Sequence, residues 1–232
     1  MRKTLVVLTF NEIEGLRALW DRIPVASVDE VFAIDPGSTD GTLDFFRGRG
    51  VRVIIQEKRG RGEAFRIAAR EATGEALCFF SPDGNEDPAD IPRLLGKIEE
   101  GYDLAIASRF LPGSRNDEAD SALPLRALAN RGFTVAAGTL FGGRVSDTIN
   151  GFRAIRKGRL IELAPDAEGF AIEFQISIRA MKRKLRIAEI PTIEGDRIGG
   201  QSTAHSIPTG LKVLRVLLRE VWIGGRFGPA HP

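Results

Sequence analysis

The 232 residues hold one cysteine, two histidines, one tyrosine and two tryptophans. A single cysteine excludes an internal disulfide and any cysteine-rich metal site. Cys78 falls inside the apolar run Ala76-Leu77-Cys78-Phe79-Phe80, where a thiol reads as core packing. His205 and His231 are too few for a histidine-rich metal centre. No charge of one sign dominates. Lys and Arg number 33 against 31 Asp and Glu, and a net charge of +2 argues against a general nucleic-acid binder. No apolar run is long enough for a transmembrane helix. The opening MRKTLVVLTFNE starts basic, but its apolar run is short and leads into polar residues without a small-residue cleavage site. It therefore reads as a first strand and not a signal peptide. The expectation is a cytoplasmic protein, with room for a peripheral position on the cytoplasmic membrane face. Repeats and low-complexity tracts are also missing.

What is present is patterned. A hydrophobic fraction of 43% supports a real core, and the length suits one α/β domain or a domain with a small appendage. Short, β-branched apolar runs at 4–9, 31–34, 51–55, 76–80 and 104–108 alternate with helical spacings over 14–23, 42–49 and 62–72, and Asp87-Pro88 opens another helix. This alternation predicts a mainly parallel, Rossmann-like sheet flanked by helices. Residues 111–122 are polar and read as a long surface loop, and 123–141 as a helix. Residues 170–178 alternate like a strand, yet Phe170, Phe174, Ile178, Met181 and Leu185 fit a helical stripe, and helix is the favoured reading. Residues 186–193 read as a late strand and 196–206 as a polar, Gly-rich loop. Residues 211–223 form an amphipathic helix of mixed apolar and basic character. Such a helix either lies among lipid headgroups or packs on the sheet. The chain divides into a nucleotide-binding half (1–110), an acceptor-side half (111–206) and a C-terminal helix with tail (207–232), all within one domain.

In open parallel sheets, ligands bind beyond the carboxyl ends of the strands. Four polar segments gather there: Phe10-Asn11-Glu12, then Asp35 to Thr42 (DPGSTDGT), then Arg59-Gly60-Arg61-Gly62, then Ser81 to Asp87 (SPDGNED). A Gly-rich turn into a helix offers backbone N–H groups to anions. Acids after the fourth strand suit a hard divalent cation, which takes oxygen ligands alongside substrate phosphates. The combination points to a metal-bound nucleotide.

These segments, in this order, resemble glycosyltransferase family 2. TFNE resembles its Thr-Tyr-Asn-Glu opening, IDPGSTDGT its Asp-Asp-Gly-Ser-x-Asp-Gly-Thr box, RGRGEAFRIA its Gly-Lys-Gly-x-Ala helix start, and SPDGNEDPADIP its Asp-x-Asp metal segment. DLAIASRF, SDTINGFRAIRK and DRIGGQST continue the likeness toward the polyprenyl-phosphate sugar synthases, such as dolichyl-phosphate mannose synthase. The resemblance implies a GT-A fold and an inverting transfer of a hexose from a UDP- or GDP-linked sugar, with Mg²⁺ or Mn²⁺, to a polyprenyl phosphate or another acceptor. It implies that Phe10, Glu12 and Asp35 hold base and ribose. Ser81, Pro82 and Asp83 would lie on the sugar nucleotide, Asp83 as a direct metal ligand and Asn85 completing the metal's protein contacts. Arg109 and Arg131 would stand near donor and acceptor phosphates, Asp147 near the reaction centre, and Arg197 on a mobile loop closing over the diphosphate.

Three positions depart from the family pattern. Pro36 stands for the second Asp of the base-binding box, Ser81 for the first Asp of the metal pair, and Thr203 for the usual Lys of the closing loop. An acceptor phosphate is already anionic and needs little general-base help, whereas a hydroxyl acceptor would need a carboxylate, with Asp147 the candidate. The departures keep two alternatives open: a sugar-nucleotide-binding protein with weak or no transferase activity, and a transferase with a soluble acceptor.

Overall fold

The structure, a computed structural model, describes residues 1–115, 125–199 and 206–228. The outer part of the predicted loop over 111–122, with Asn116, and Ser202 and Thr203 of the closing loop lie outside the described residues.

Seven strands form one sheet in the order β3-β2-β1-β4-β6-β5-β7. They are β1 (Lys3–Leu8), β2 (Glu30–Asp35), β3 (Arg52–Ile55), β4 (Ala76–Phe80), β5 (Leu104–Ser108), β6 (Arg153–Arg156) and β7 (Ile187–Pro191). The helices are α1 (Ile13–Leu19), α2 (Thr42–Arg47), α3 (Arg61–Glu71), α4 (Asp90–Glu99), α5 (Leu125–Phe141), α6 (Lys157–Leu163), α7 (Ala171–Lys182) and α8 (Ser206–Ile223). All pairings are parallel except those of β6, which runs antiparallel between β4 and β5. The expected strands and longer helices are present, and the ambiguous stretch after Phe170 is the helix α7.

Side chains of β1 alternate between two cores, as a strand buried on both faces requires. Val6 and Leu8 pack with Phe65 of α3, Leu160 of α6, Phe174 of α7 and Val213 of α8. Leu5 and Val7 pack with Leu16 of α1, Phe46 of α2 and Leu94 of α4. From β1 the chain steps to β2 and β3 on one side and to β4 on the other. That reversal leaves a crevice at the carboxyl ends of β1 and β4, and the ligand segments hang over it.

Two elements escaped the periodicity reading. β6 reads Arg-Ala-Ile-Arg, and two arginines in four residues mask an interior strand. Arg153 is fully buried there, satisfied by the carbonyls of Thr148, Asn150 and Glu173 and by Ser177 Oγ. Burial lowers its pKa to about 10. The short helix α6 follows it without a break.

The helix α8 packs chiefly against α7 and α5, and its buried face joins the core on one side of the sheet. Val213, Val216 and Leu217 are buried, and Glu220 is fully buried against Arg179 Nε at 2.9 Å and Lys182 Nζ at 2.7 Å. Leu211, Leu214, Leu218, Val221 and Trp222 stay exposed. The helix therefore has two apolar stripes, one inward and one outward.

Candidate active site

The crevice is a cleft of about 1070 Å³. Residues from β1, β2, α3, α5, α7, α8 and the loops after β1, β2, β3, β4, β5 and β7 line it.

At the β1 and β2 ends, the two loops are laced together. Asn11 stands at φ 55°, its amide N–H donates to Ser38 Oγ at 2.7 Å and its side-chain oxygen accepts from Thr39 N at 2.9 Å. Asp35 is fully buried and accepts four bonds, from Thr9 Oγ1, the Gly37 and Ser38 N–H groups and Ser38 Oγ. Asp35 therefore shapes the loop from behind, while its neighbour Pro36 faces the cleft. Phe10 is half-buried on the cleft wall, and Arg59 lies 5.2 Å from its ring centre.

At the β4 end, Asp83 Oδ1 accepts from Asn85 N at 3.1 Å, a turn that Gly84 permits at φ 98°. The segment after β7 lies directly on this turn. Ile198 N donates to Asp83 O at 2.7 Å, Asn85 Nδ2 to Gly195 O at 2.7 Å and Gly195 N to Asn85 O at 3.2 Å. A Cβ on Gly84 would collide with Asp196 O. Arg197 then bridges two acids: Nη1 meets Asp83 Oδ2 at 2.7 Å and Nη2 meets Glu12 Oε1 at 2.6 Å. Glu12 Oε2 and Arg197 Nε are buried without a partner among the described residues. Burial and the neighbouring Asp83 charge push the Glu12 pKa up to about 7 against the pull of Arg197.

Ser81 lies inside the cleft wall. Its N–H donates to Glu86 Oε2 at 2.7 Å and its hydroxyl accepts from Arg61 Nη1 at 3.1 Å. Burial pushes Glu86 up to about 8, with Arg61 opposing and Asp83 assisting. Pro82 is buried and outside the cleft lining; its carbonyl packs against Gly15 of α1, where any Cβ would collide with it. Asp147 is also outside the lining. It is fully buried and holds Arg109 at 2.7 Å and 3.1 Å through both oxygens, with further bonds from the Ile149 and Asn150 N–H groups. Burial alone would raise its pKa, but Arg109 and these donors outweigh it and hold the carboxyl below the usual range. Asp147 thus presents Arg109 to the cleft and has no spare oxygen to take a proton. Arg131 is exposed on α5, 5.1 Å from the Phe110 ring centre, and borders a separate cavity of about 490 Å³. The structure brings Phe10, Glu12, Ser81, Asp83, Asn85, Arg109 and Arg197 to one cleft and leaves Asp35, Pro82, Asp147 and Arg131 off its wall.

Glu173, Asn150 and Lys212 also line the cleft, as do Arg61 and Glu86, which lie in the expected strand-end segments; none of the five was given a role of its own from sequence. For Glu173 a signal existed: it is an acid inside the apolar stripe of residues 170–178. The far wall is apolar, built by Leu125, Ala129, Phe133, Ile149, Phe170 and Val213.

No group of three or more His, Cys, Asp or Glu side chains is poised for a metal among the described residues. The donor set nevertheless fits a diphosphate-bound Mg²⁺ or Mn²⁺, which needs only one or two protein carboxylates. Asp83 already carries a cation, the Arg197 guanidinium, on the oxygen a metal would take. Asn85 would have to turn from Gly195 to join it.

The sequence model described as Glycosyl transferase family 2 matches residues 4–163. The chain is 29% identical over 222 residues to a dolichyl-phosphate hexose transferase of Haloferax volcanii, covering 93% of this chain and 94% of that one. It is 27% identical over 199 residues to the glycosyltransferase AglJ of the same organism, covering 84% of this chain but spanning only 63% of AglJ. In three dimensions it superposes on glucosyl-3-phosphoglycerate synthase from Mycobacterium tuberculosis, crystallised with Mn²⁺, UDP and phosphoglyceric acid. That likeness has a TM-score of 0.74 at 22% identity and covers 95% of this chain and 78% of the other. The shared fold is that of the GT-A glycosyltransferases.

Proposed function

This chain belongs to glycosyl transferase family 2, and from that premise we propose that it moves a hexose, with inversion, from a UDP- or GDP-linked sugar to a polyprenyl phosphate. The observation that carries the acceptor is a cleft lined both by the apolar set Leu125, Ala129, Phe133, Ile149, Phe170 and Val213 and by the cations Arg109 and Lys212. A phosphate headgroup suits the cations and a prenyl chain suits the wall. The name of the Haloferax relative supports the same acceptor class.

In this reading Phe10 and Arg59 take the base, and Pro36 borders it while Asp35 sets the loop. A divalent cation held by Asp83 would supply Lewis-acid neutralisation of the leaving diphosphate. Arg197 shifts from its two acids to the diphosphate as the donor enters. Arg109, held by Asp147, orients the acceptor phosphate, which attacks as an anion and needs no base. Arg131 serves the acceptor at most from outside the cleft. A peripheral membrane position follows from such an acceptor, since no helix among the described residues is long and apolar enough to cross a membrane.

A transfer assay decides it. The purified chain with Mn²⁺ is offered UDP-glucose or GDP-mannose and either a short polyprenyl phosphate or 3-phosphoglycerate, with products read by mass spectrometry. A glycosylated prenyl phosphate is the expected product. Transfer only to the small acid would replace this reading with a soluble-acceptor enzyme, which Arg109 and Lys212 would equally serve.

A further inference from the structure

Behind Arg109, off the cleft wall, stands an acid that the roles above do not use. Glu189 lies in the edge strand β7, which reads Ile-Ala-Glu-Ile-Pro. Ala188 and Ile190 are buried in the core shared with α1, α2 and α4, so Glu189 points to the other face of the sheet. Every bond it accepts there comes from two neighbouring residues. Oε1 accepts from Ser146 Oγ at 2.8 Å and from the N–H groups of Ser146 and Asp147 at 3.0 Å, and Oε2 accepts from Ser146 N at 2.8 Å. Glu189 pairs with no Lys or Arg among the described residues. Burial lifts its carboxyl above the ordinary range, although these donors pull it down.

The two residues it grips lead to Arg109. Asp147 accepts from Arg109 Nε at 2.7 Å and Nη2 at 3.1 Å. Ser146 Oγ lies 2.6 Å from Ser108 Oγ, which accepts from Phe110 N at 3.1 Å, so both chain neighbours of Arg109 are tied to the same hydroxyl pair. Arg109 lines the cleft, whereas Ser108, Ser146, Asp147 and Glu189 do not.

A half-buried carboxylate without a cation is costly, and charge-assisted bonds from backbone N–H groups offset that cost. Two successive N–H groups and a hydroxyl around one carboxylate form an anion nest, here closed by the protein's own side chain. The nest fixes the chain just before the Asp147 side chain. Asp147 itself takes the Ile149 and Asn150 N–H groups and so fixes the chain just after it. Asp147 is therefore clamped from both sides, and its direction sets that of the guanidinium.

Resting on the role given above to Arg109, we propose that Glu189 is a positioning residue that holds the Ser146-Asp147 turn so that Arg109 meets the phosphate monoester of the acceptor. It touches no substrate, and it acts through Asp147. A small misplacement of a positioned group weakens what that group binds and leaves the rest of the cleft as it was.

Calorimetry tests this with two bearers of a phosphate monoester, citronellyl phosphate and 3-phosphoglycerate, and separately with UDP and GDP in Mn²⁺. The wild-type chain binds at least one of the two monoesters. Glu189→Gln, whose amide nitrogen cannot accept from Ser146 N, weakens that binding about 10-fold and leaves nucleoside-diphosphate affinity within about 2-fold. Ser146→Ala keeps both backbone N–H groups, loses the hydroxyl links to Glu189 and Ser108, and weakens monoester binding about 3-fold, which guards against a folding defect in the first variant. In an Arg109→Lys background, which lacks the two-pronged grip, the effect of Glu189→Gln shrinks to under about 2-fold, because the two residues act in series. A merely structural role would weaken both ligand classes alike. Equal losses of monoester and nucleotide affinity, monoester binding unchanged in both single variants, or an undiminished effect in the Arg109→Lys background overturns the positioning role and leaves the proposed function standing. A wild-type chain that binds neither monoester overturns both. Binding of 3-phosphoglycerate alone, weakened as stated, keeps the positioning role and replaces the lipid acceptor.

Discussion

Arg109 and Arg197 face the same cleft and are held in opposite ways. Arg109 has a 9% exposed side chain and is gripped by both oxygens of Asp147, itself locked by backbone N–H groups, with Glu194 at 3.7 Å. Arg197 is 24% exposed on an irregular segment and spans two acids, leaving its own Nε and Glu12 Oε2 without partners among the described residues. The first is a saturated pair and the second an unsaturated one. A saturated buried pair fixes geometry, whereas an unsaturated one is held loosely enough to be exchanged for a ligand. The cleft thus combines a fixed cation for one phosphate with a releasable cation for another.

The largest expected effect breaks the fixed node. Asp147→Asn removes the carboxylate that grips Arg109 through both oxygens, and losing one partner of a buried pair costs about 3–5 kcal/mol. Denaturant unfolding measures it, and a loss under about 1 kcal/mol would show that Asp147 is not what holds Arg109.

Next comes the releasable node. Asp83→Ala removes the carboxylate shared by Arg197 and the proposed metal. Mn²⁺-dependent affinity for UDP or GDP should fall about 100-fold, while a partly exposed loop acid contributes only about 1 kcal/mol to folding. Titration calorimetry with and without Mn²⁺ reads both, and an intact metal dependence would sink the assignment of Asp83.

Arg197→Gln sharpens the contrast. Nucleoside-diphosphate affinity should drop about 10-fold, some 1.4 kcal/mol, with stability nearly unchanged and Mn²⁺ affinity not reduced, since Asp83 is then released. Unchanged nucleotide affinity would mean that Arg197 never leaves its acids for the diphosphate.

Proton linkage gives a smaller effect. Glu12 at about 7 and Glu86 at about 8 both titrate above the ordinary carboxylate value. A raised carboxyl pKa stabilises the fold fully below about 4.5 and loses that contribution as pH rises through 7 to 8. In metal-free buffer the melting temperature should fall between pH 5 and pH 9, at roughly 2–4 °C per kcal/mol for a chain of this size. Glu86→Gln should flatten the upper part of that slope. A melting temperature that rises across this window would contradict the buried acids.

The same contrast explains what could be read before the structure. The strand-end segments TFNE, DPGSTDGT and SPDGNEDP sit next to regular apolar strands, so the mainly parallel sheet and the cleft end of its strands were legible from periodicity and local chemistry. The side-chain partners were not. That Asp147 points at Arg109 and that Arg131 looks away from the cleft depend on contacts between residues tens of positions apart, and Asp35 is turned to its own loop by Gly37 and Ser38 together with the distant Thr9. Arg153 hides a strand because its burial is compensated by carbonyls of other segments. Glu173 meets Arg61 from 112 positions away.

The smallest effect concerns the outer stripe of α8. Truncating this helix would be a poor test of membrane binding, because Glu220 pairs with Arg179 and Lys182, and Val213, Val216 and Leu217 belong to the core. Its outer residues are separable. Leu218 is 62% and Trp222 79% exposed, with Arg215, Arg219 and Arg226 exposed alongside. An apolar stripe with an aromatic end and basic flanks suits an anionic headgroup layer. The double variant Leu218→Ser, Trp222→Ser removes apolar area without touching the core, so stability should change by less than about 0.5 kcal/mol. Partition into phosphatidylglycerol vesicles should fall about 10-fold, which is about 1.4 kcal/mol for two apolar side chains that enter the headgroup layer only in part. Co-sedimentation at low salt measures it, and the indole emission of the wild type should shift to the blue on binding. A full chain that stays in the supernatant would leave the outer stripe without a membrane role and remove this support for a lipid acceptor.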